Sequence, residues 1–409
     1  MNATNPTYSL RCLNCHVCYD PKGIGYCCPA CGEAGALDTL YDYRSLASQL
    51  DRDALASRTA EGMWRFNALL PQVAPSFRPG LLVGNTPLYR RSGLIDYEPG
   101  LTVWIKDESR QPTGSLKDRA SALAVGLALQ ADARVIAVAS TGNAASALAG
   151  MAADRRLHTV IYVPRTTPSA KLAQMTGFGA EVVLVDGAYD EAFDQCQQAC
   201  NRHGWYNRTT GINSYMTEGK KTVAFEIAEQ TNWVLPELIF VPVGNGCILG
   251  SVFKGFFDLL QMGWIERMPR LIGVQAEASN FLYRAWRSEG PMDAVARVAP
   301  SSRASSINVA FPRDRLKAMR AVRATDGEFI CVSDQAIADA AQALAARTGV
   351  FAEAGAAAAY AGLRQWVSTH PGEAASALLL ITGSGLKDTQ LYMCGDTATS
   401  APAIQHQPV

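Results

Sequence analysis

Residues 111–121 read QPTGSLKDRAS. A lone lysine, Lys117, follows Thr113-Gly114-Ser115-Leu116 and precedes the charge pair Asp118-Arg119, and Ala120, Ala122, Leu123, Val125 and Leu127 carry an apolar pattern onward. That pattern predicts a helix over 118–131 with Lys117 at its start, where the helix dipole disfavours a cation. A role other than helix stability is therefore expected of Lys117, whereas Asp118 and Arg119 read as helix-start and structural charges. Just upstream, LTVWIKDE (101–108) reads as a strand, so the lysine sits after a strand and before a helix.

The same rhythm continues on the C-terminal side. Strands are expected at RVIAVAS (134–140), HTVIYVP (158–164) and EVVLVD (181–186), with helices over 143–156, 169–176 and 189–203. A second series has LIFVPVGNG (238–246), a helix over 247–262, RLIGVQAE (270–277), a helix over 333–348, and ALLLITGSG (377–385). Continuous apolar strands spaced by helices imply an α/β fold with mostly parallel sheets covered on both faces. Residues 44–70 read as helical up to Pro71, Pro75 and Pro79. The polar stretch GDTATSAPAIQHQPV at the end is expected to be disordered over 396–409.

The chain has 409 residues, enough for two or three modules. Lys+Arg and Asp+Glu both number 37, which leaves no basic field for nucleic acid. The longest apolar runs, AASALLLI (374–381) and AGAAAAYAGL (354–363), fall short of the ~20 residues of a membrane helix. The start, MNATNPTYSL, lacks the basic-then-apolar order of a secretory signal, so a cytoplasmic location is expected.

Six of the eleven cysteines crowd the first 31 residues. Cys12-Leu13-Asn14-Cys15 and Cys28-Pro29-Ala30-Cys31 form two C-x-x-C knuckles around a Gly-containing connection, PKGIGY. The spacing suits four thiolates on one structural zinc in a zinc-ribbon-like segment over 8–40; a ribbon that has lost its metal is the alternative. Cys18 and Cys27 are then spare thiols or ligands in another register. With only Arg11 and Lys22 for charge, the ribbon reads as a structural or docking element.

Three Gly-rich turns each follow an expected strand: Ser140-Thr141-Gly142-Asn143, Gly244-Asn245-Gly246-Cys247-Ile248-Leu249-Gly250 and Thr382-Gly383-Ser384-Gly385. Ligands of open α/β sheets bind at the carboxyl ends of strands, where these turns belong. The second is the best anion site, since the N–H groups opening the next helix would face a phosphate. It is neither G-x-G-x-x-G nor a Walker sequence, so a nucleotide is not implied.

Taken in order, PTGSLKDRAS, STGNAAS, EGKKTVAFEIAEQ (218–230), PVGNGCILGSVFKGF (242–256), FPRDRLKAMRAVR (311–323) and TGSGLKD (382–388) resemble the motifs of threonine synthase-like enzymes, in fold type II of the pyridoxal phosphate family. The resemblance implies two three-layer αβα domains with mostly parallel sheets: a large cofactor-binding domain over 41–117 and 214–395, and a small one over 118–213 inserted in it. It also implies a homodimer acting on a small amino acid. By the same resemblance Lys117 forms the Schiff base with pyridoxal 5′-phosphate and moves the substrate's α-proton. Asn143 bonds the cofactor's 3′-oxygen, and Ser140 and Thr141 offer donors to the substrate carboxylate. Gly244, Asn245, Gly246, Cys247 and Ile248 cradle the 5′-phosphate, and Thr382 meets the pyridine nitrogen. A hydroxyl there leaves that nitrogen largely neutral, which favours elimination and replacement over transamination. Lys220 and Lys221 are expected on a solvated helix face, and Cys247 is read as a small residue fitted to the turn.

One segment departs from the family. Where threonine synthases carry an arginine in N-P-x-R-x-E-G, this chain reads Asn213-Ser214-Tyr215-Met216-Thr217-Glu218-Gly219. Met216 cannot pair with a leaving phosphate as a guanidinium does. Gly211 and Ala144 likewise stand where hydroxyls are typical. Arg208, on a neighbouring turn, is available as a substitute cation. Two enzymatic readings follow: a β- or γ-elimination or replacement on an amino acid with an uncharged or smaller leaving group, a serine/threonine dehydratase-like deaminase being a special case, or threonine synthase proper with a rebuilt phosphate site. A non-catalytic binding protein would have lost the lysine or the cradle, and neither is lost.

Overall fold

The computed structural model describes residues 8–393 apart from Glu33, Pro168, Ala188 and Glu289, so the expected disorder over 396–409 lies outside the described residues. The chain opens with β1 (Tyr8–Cys12), β2 (Cys18–Tyr19) and β3 (Leu37–Tyr41), an antiparallel sheet with β1 in the centre. This small unit carries all four knuckle cysteines.

Then come β4 (Leu88–Ser92), β5 (Thr102–Asp107), β6 (Val135–Ala139), β7 (His158–Pro164), β8 (Glu181–Val185), β9 (Tyr206–Asn207), β10 (Leu238–Pro242), β11 (Arg270–Ala276), β12 (Glu328–Val332) and β13 (Ser376–Ile381). They form two sheets. One has the order β12-β11-β10-β13-β5-β4, parallel except for β4 at the edge, which runs antiparallel to β5. The other is parallel throughout, in the order β8-β7-β6-β9.

The strands are apolar on both faces because helices cover both. Along β10, Ile239 and Val241 enter one core with the helices Tyr215–Gln230 and Cys247–Gln261, while Leu238 and Phe240 enter a second core with Asp334–Thr348 and Ala354–Thr369. Alternate residues of one strand thus seed two cores, as the period-2 geometry of a strand requires. The smaller sheet repeats the plan. Ile136 and Val138 face the helices Lys117–Gln130 and Asn143–Ala153, and Ala137 and Ala139 face Tyr189–His203. The result is the expected α/β architecture, two covered sheets plus a ribbon-like cysteine unit.

Some expectations need correction. The region 44–70 is not one helix: Tyr43–Gln49 and Arg52–Ser57 are separate, and Thr59–Leu69 is a 3-10 run interrupted at Gly62. Asp42 and Asp51 each accept backbone N–H groups at a fresh helix start, which divides the segment. Lys220 and Lys221 are fully buried, not solvated. Lys221 donates to Glu218 at 2.5 Å and to Asp258 at 2.6 Å, a partner 37 positions away that only the tertiary fold supplies. Among the described residues no helix is long and apolar enough to cross a membrane.

Candidate active site

Lys117 is the first residue of the helix Lys117–Gln130, and its neighbours fix the turn that presents it. The Leu116 amide donates to the Thr382 carbonyl at 3.0 Å, and the Ser384 amide donates to the Gly114 carbonyl at 3.0 Å, so the turn is stitched to the carboxyl end of β13. Asp118 folds back to accept from the Thr113 amide at 2.7 Å and from the Thr113 hydroxyl. Arg119 reaches the other way, paired with Glu108 and Glu226 at 2.7 Å each. The two charges after the lysine are structural, as read, and both immobilise its base.

Lys117 opens on a cavity of about 990 Å³. Ser140, Thr141, Asn143, the turn Gly244–Ile248 and Thr382 line the same cavity, each at the carboxyl end of its strand. Burial lowers the Lys117 ammonium to about 8, Lys220 adds to that, and Glu353 opposes it. A lysine in this range is partly a free amine near neutrality, fit to attack a carbonyl or accept a proton.

The Gly244–Ile248 turn is held open by its glycines. Gly246 has φ +89°, and a Cβ there would lie 2.8 Å from the Ala318 Cβ. It caps the helix Cys247–Gln261, so the unpaired N–H groups of the first turn face the cavity end. Asn245 braces the turn, its side-chain oxygen accepting the Arg313 amide at 3.2 Å and its carbonyl the Asp314 amide at 3.0 Å.

Glu353 escaped the sequence reading. It is buried on the cavity wall and caps the helix Ala354–Thr369, and its two carboxylate oxygens each take a hydrogen bond from Asn143 Nδ2 at 2.9 Å. A polar residue directly ahead of the apolar run AGAAAAYAGL was the available signal.

Two proposed substrate residues are not on the cavity wall. Met216 is 1% exposed and packs in the apolar core of the smaller sheet. Arg208 is fully buried, with Nε donating to Ser121 Oγ at 3.1 Å and Nη1 to Thr210 Oγ1 at 3.2 Å, while Nη2 has no partner. Burial lowers the Arg208 guanidinium to about 10. Lys220 lies close by, its Nζ 3.0 Å from the Met216 carbonyl and 3.1 Å from Cys247 Sγ. A cation does enter the cavity elsewhere: Arg313 runs over Gly211, where a Cβ would fall 2.3 Å from the Arg313 Cβ, and pairs with Asp190 at 2.8 Å.

The residues fit pyridoxal phosphate. An amine with a lowered pKa, a glycine-opened helix start and a cavity large enough for both cofactor and amino acid all meet here. The ribbon cysteines fit a metal. The Sγ atoms of Cys12, Cys15, Cys28 and Cys31 lie within 4.8 Å of one another, with Cys15 to Cys28 at 3.6 Å and Cys12 to Cys31 at 4.0 Å. Those separations bracket the edge of roughly 3.8 Å expected for tetrahedral thiolates on zinc.

Known proteins resemble this chain over most of its length. The sequence model of the family "Pyridoxal-phosphate dependent enzyme" matches residues 80–383. The threonine synthase of Methanocaldococcus jannaschii is 33% identical over 381 residues, covering 92% of both chains. That of Methanosarcina acetivorans is 32% identical over 385 residues, covering 94% of this chain and 93% of its own. Among solved structures, threonine deaminase isoform 2 of Solanum lycopersicum superposes with a TM-score of 0.64 at 19% identity, covering 77% of this chain and 88% of that one. Maize serine racemase gives 0.64 at 19%, covering 84% and 96%; at such identities these two speak to the fold alone. With the match spanning the lysine turn, the cradle and β13, the chain belongs to the threonine synthase-like family of pyridoxal phosphate-dependent enzymes.

Proposed function

We propose that the chain eliminates, or eliminates and replaces, a β- or γ-substituent of a small amino acid with an uncharged or small leaving group. The carrying observation is the convergence of Lys117, its amine lowered to about 8, with the Gly244–Ile248 cradle on one cavity. Bound there, pyridoxal phosphate supplies an aldehyde to hold the substrate amine and a ring to delocalise the charge left when the α-proton departs.

The chain's own residues do the rest. Lys117 Nζ, as the neutral amine, takes the α-proton and returns it to a later carbon or to the leaving group. Ser140 and Thr141 present hydroxyls to the substrate carboxylate. Asn143, oriented by its two bonds to Glu353, holds the ring oxygen, and Thr382 offers a hydroxyl to the ring nitrogen. The cradle anchors the 5′-phosphate so that the ring keeps its register against Lys117.

Met216 supports the choice of leaving group, because its side chain is committed to the core and brings no charge to the cavity. A second reading, threonine synthase proper, draws support from Arg313, which enters the cavity where Gly211 makes room, and from the names of the relatives. The holoenzyme should be assayed on O-phosphohomoserine beside homoserine, serine, threonine and their O-acetyl analogues, following phosphate and keto-acid release. Turnover of the uncharged substrates is expected. Efficient threonine formation from O-phosphohomoserine alone would overturn the first reading in favour of the second.

Structural zinc on the four knuckle cysteines, a homodimer, a cytoplasmic location and the inserted small domain over 118–213 belong to the same proposal. About one zinc per chain is expected in protein purified without chelator. Metal analysis that finds none would leave the ribbon as a metal-free fold.

A further inference from the structure

We propose that Lys220 and Arg208, buried behind the cavity wall, form a cationic backing to the Gly244–Ile248 turn, so that the charge of the cofactor's 5′-phosphate is balanced by two charged side chains while backbone amides bond it. The inference rests on reading that turn as the cofactor cradle.

Lys220 stands one turn after Met216 on the helix Tyr215–Gln230. Long helical side chains lean toward the helix N-terminus, and this one runs back along its own helix to the Met216 carbonyl and then to Cys247 Sγ, the first side chain of the cradle helix. Arg208 arrives from beyond β9, fully buried, and interacts electrostatically with Cys247, Lys117 and Lys220. Its Nη2 is the unpartnered donor.

Among the described residues neither cation is within ion-pair distance of a carboxylate. Asp118 acts on Arg208 only through space, with both its oxygens engaged by Thr113, and Asp314 acts on Lys220 from beyond hydrogen-bond reach. Two buried cations without a carboxylate partner, one of them against the first side chain of the cradle helix, are unfavourable without an anion, and a phosphate dianion supplies the matching charge.

The test separates the phosphate from the ring. Wild-type protein and K220M, both stripped of cofactor, are titrated with pyridoxal phosphate and with pyridoxal, which lacks the phosphate. We expect K220M to lose about 10- to 100-fold in affinity for pyridoxal phosphate, to keep its affinity for pyridoxal, and to be largely rescued as K220R. In wild-type holoenzyme the ³¹P resonance should show a dianion throughout the range around pH 6 where a free phosphomonoester titrates, and K220M should restore the titration. Equal weakening of both ligands, or of neither, would overturn the proposal. So would a K220M enzyme that binds the cofactor normally but has a raised KM only for phosphorylated substrates, which would assign the cations to the leaving group. Should K220M fail to fold, the wild-type ³¹P titration decides alone, and titration near pH 6 counts against the proposal. A wild-type chain that takes up no cofactor at all is a different result, since it refutes the functional reading itself.

Discussion

Two buried charge clusters flank the first turn of the helix Lys117–Gln130, and they are built on opposite plans. Around Arg119 the charges close on themselves. Arg119 meets Glu108 and Glu226, Lys106 meets Glu226 at 2.9 Å and the Thr86 carbonyl at 2.7 Å, and all four side chains are fully buried. Burial pushes the Glu226 carboxyl up, but Arg119 and Lys106 together hold it well below the usual carboxylate range. Around Lys117 the cations Lys220 and Arg208 have no ion-paired carboxylate among the described residues, and burial lowers all three of these groups. A cluster neutralised within the chain stabilises the fold; a cluster left unneutralised awaits a ligand.

The comparison breaks most sharply at Lys117. Lys117→Ala should reduce turnover by at least about 10²- to 10⁴-fold with the circular dichroism spectrum unchanged, because among the described residues its side chain makes no hydrogen bond or ion pair that holds the helix. Borohydride trapping followed by peptide mass spectrometry should place the cofactor on Lys117 in the wild type. Cofactor trapped on a different lysine would refute the assignment.

The next effect belongs to the closed cluster. Glu226→Gln removes the charge that Arg119 and Lys106 share, and breaking one partner of a buried network costs about 3–5 kcal/mol. Urea unfolding should show that loss, with cofactor affinity per folded molecule little changed. Lys220→Met in cofactor-free protein should do the reverse, leaving stability equal or higher, since it deletes a cation with no counter-ion. If both variants destabilise alike, the contrast between the clusters is false.

A smaller effect follows from pH. The Lys117 ammonium stands at about 8 in place of 10.5, first through burial and then through Lys220. Between those values the unfolded chain holds more protons than the folded one, so stability rises with pH. Below about pH 8 the buried charge opposes folding in full. Cofactor-free Lys117→Met should therefore exceed the wild type in stability near pH 7, with the gap closing as pH climbs from 8 toward 10.5. Thermal melts across that range check it, and a gap independent of pH would mean that Lys117 is not perturbed.

Much of this was legible in the residues. The strand β10 and its turn, the helix after Asn143 and the lysine turn all follow from local apolar runs and glycines, and the structure puts them where the runs predict. The strands β4 and β12 were missed. LYRRS is polar at the sheet edge, and EFICV is a short run between two helices whose turn signal, Asp326-Gly327 directly ahead of it, went unused. Burial of charge was the larger failure. The helix Tyr215–Gln230 contains Lys220 and Lys221, which read as solvated, along with Glu218 and Glu226, yet it is buried on every side. Its partners Arg119, Asp258, Lys106 and Cys247 come from distant segments, so periodicity along the helix held no record of them. Glu353 was missed for a related reason: its meaning lies in Asn143, 210 positions earlier.

The smallest effect on stability, and the one that sharpens the substrate question, is at the cavity mouth. Arg313 pairs with Asp190, whose side chain is 71% exposed, and its guanidinium also lies 4.5 Å over the Phe193 ring. An exposed pair of this kind contributes about 0–1 kcal/mol, so Arg313→Met should leave unfolding almost unmoved. Its guanidinium is nevertheless a cavity cation with a weakly held, solvent-screened partner, unlike Arg119, whose carboxylates are locked in place. A phosphorylated substrate could displace Asp190, whereas an uncharged one would have no reason to. For an uncharged leaving group we expect KM to change by less than about threefold in Arg313→Met, because no charged contact is lost. A rise of roughly tenfold or more, seen only with O-phosphohomoserine, would identify Arg313 as the cation that takes over from position 216. It would also turn the comparison around, since an apparent structural ion pair at the mouth would then be a binding group held in reserve.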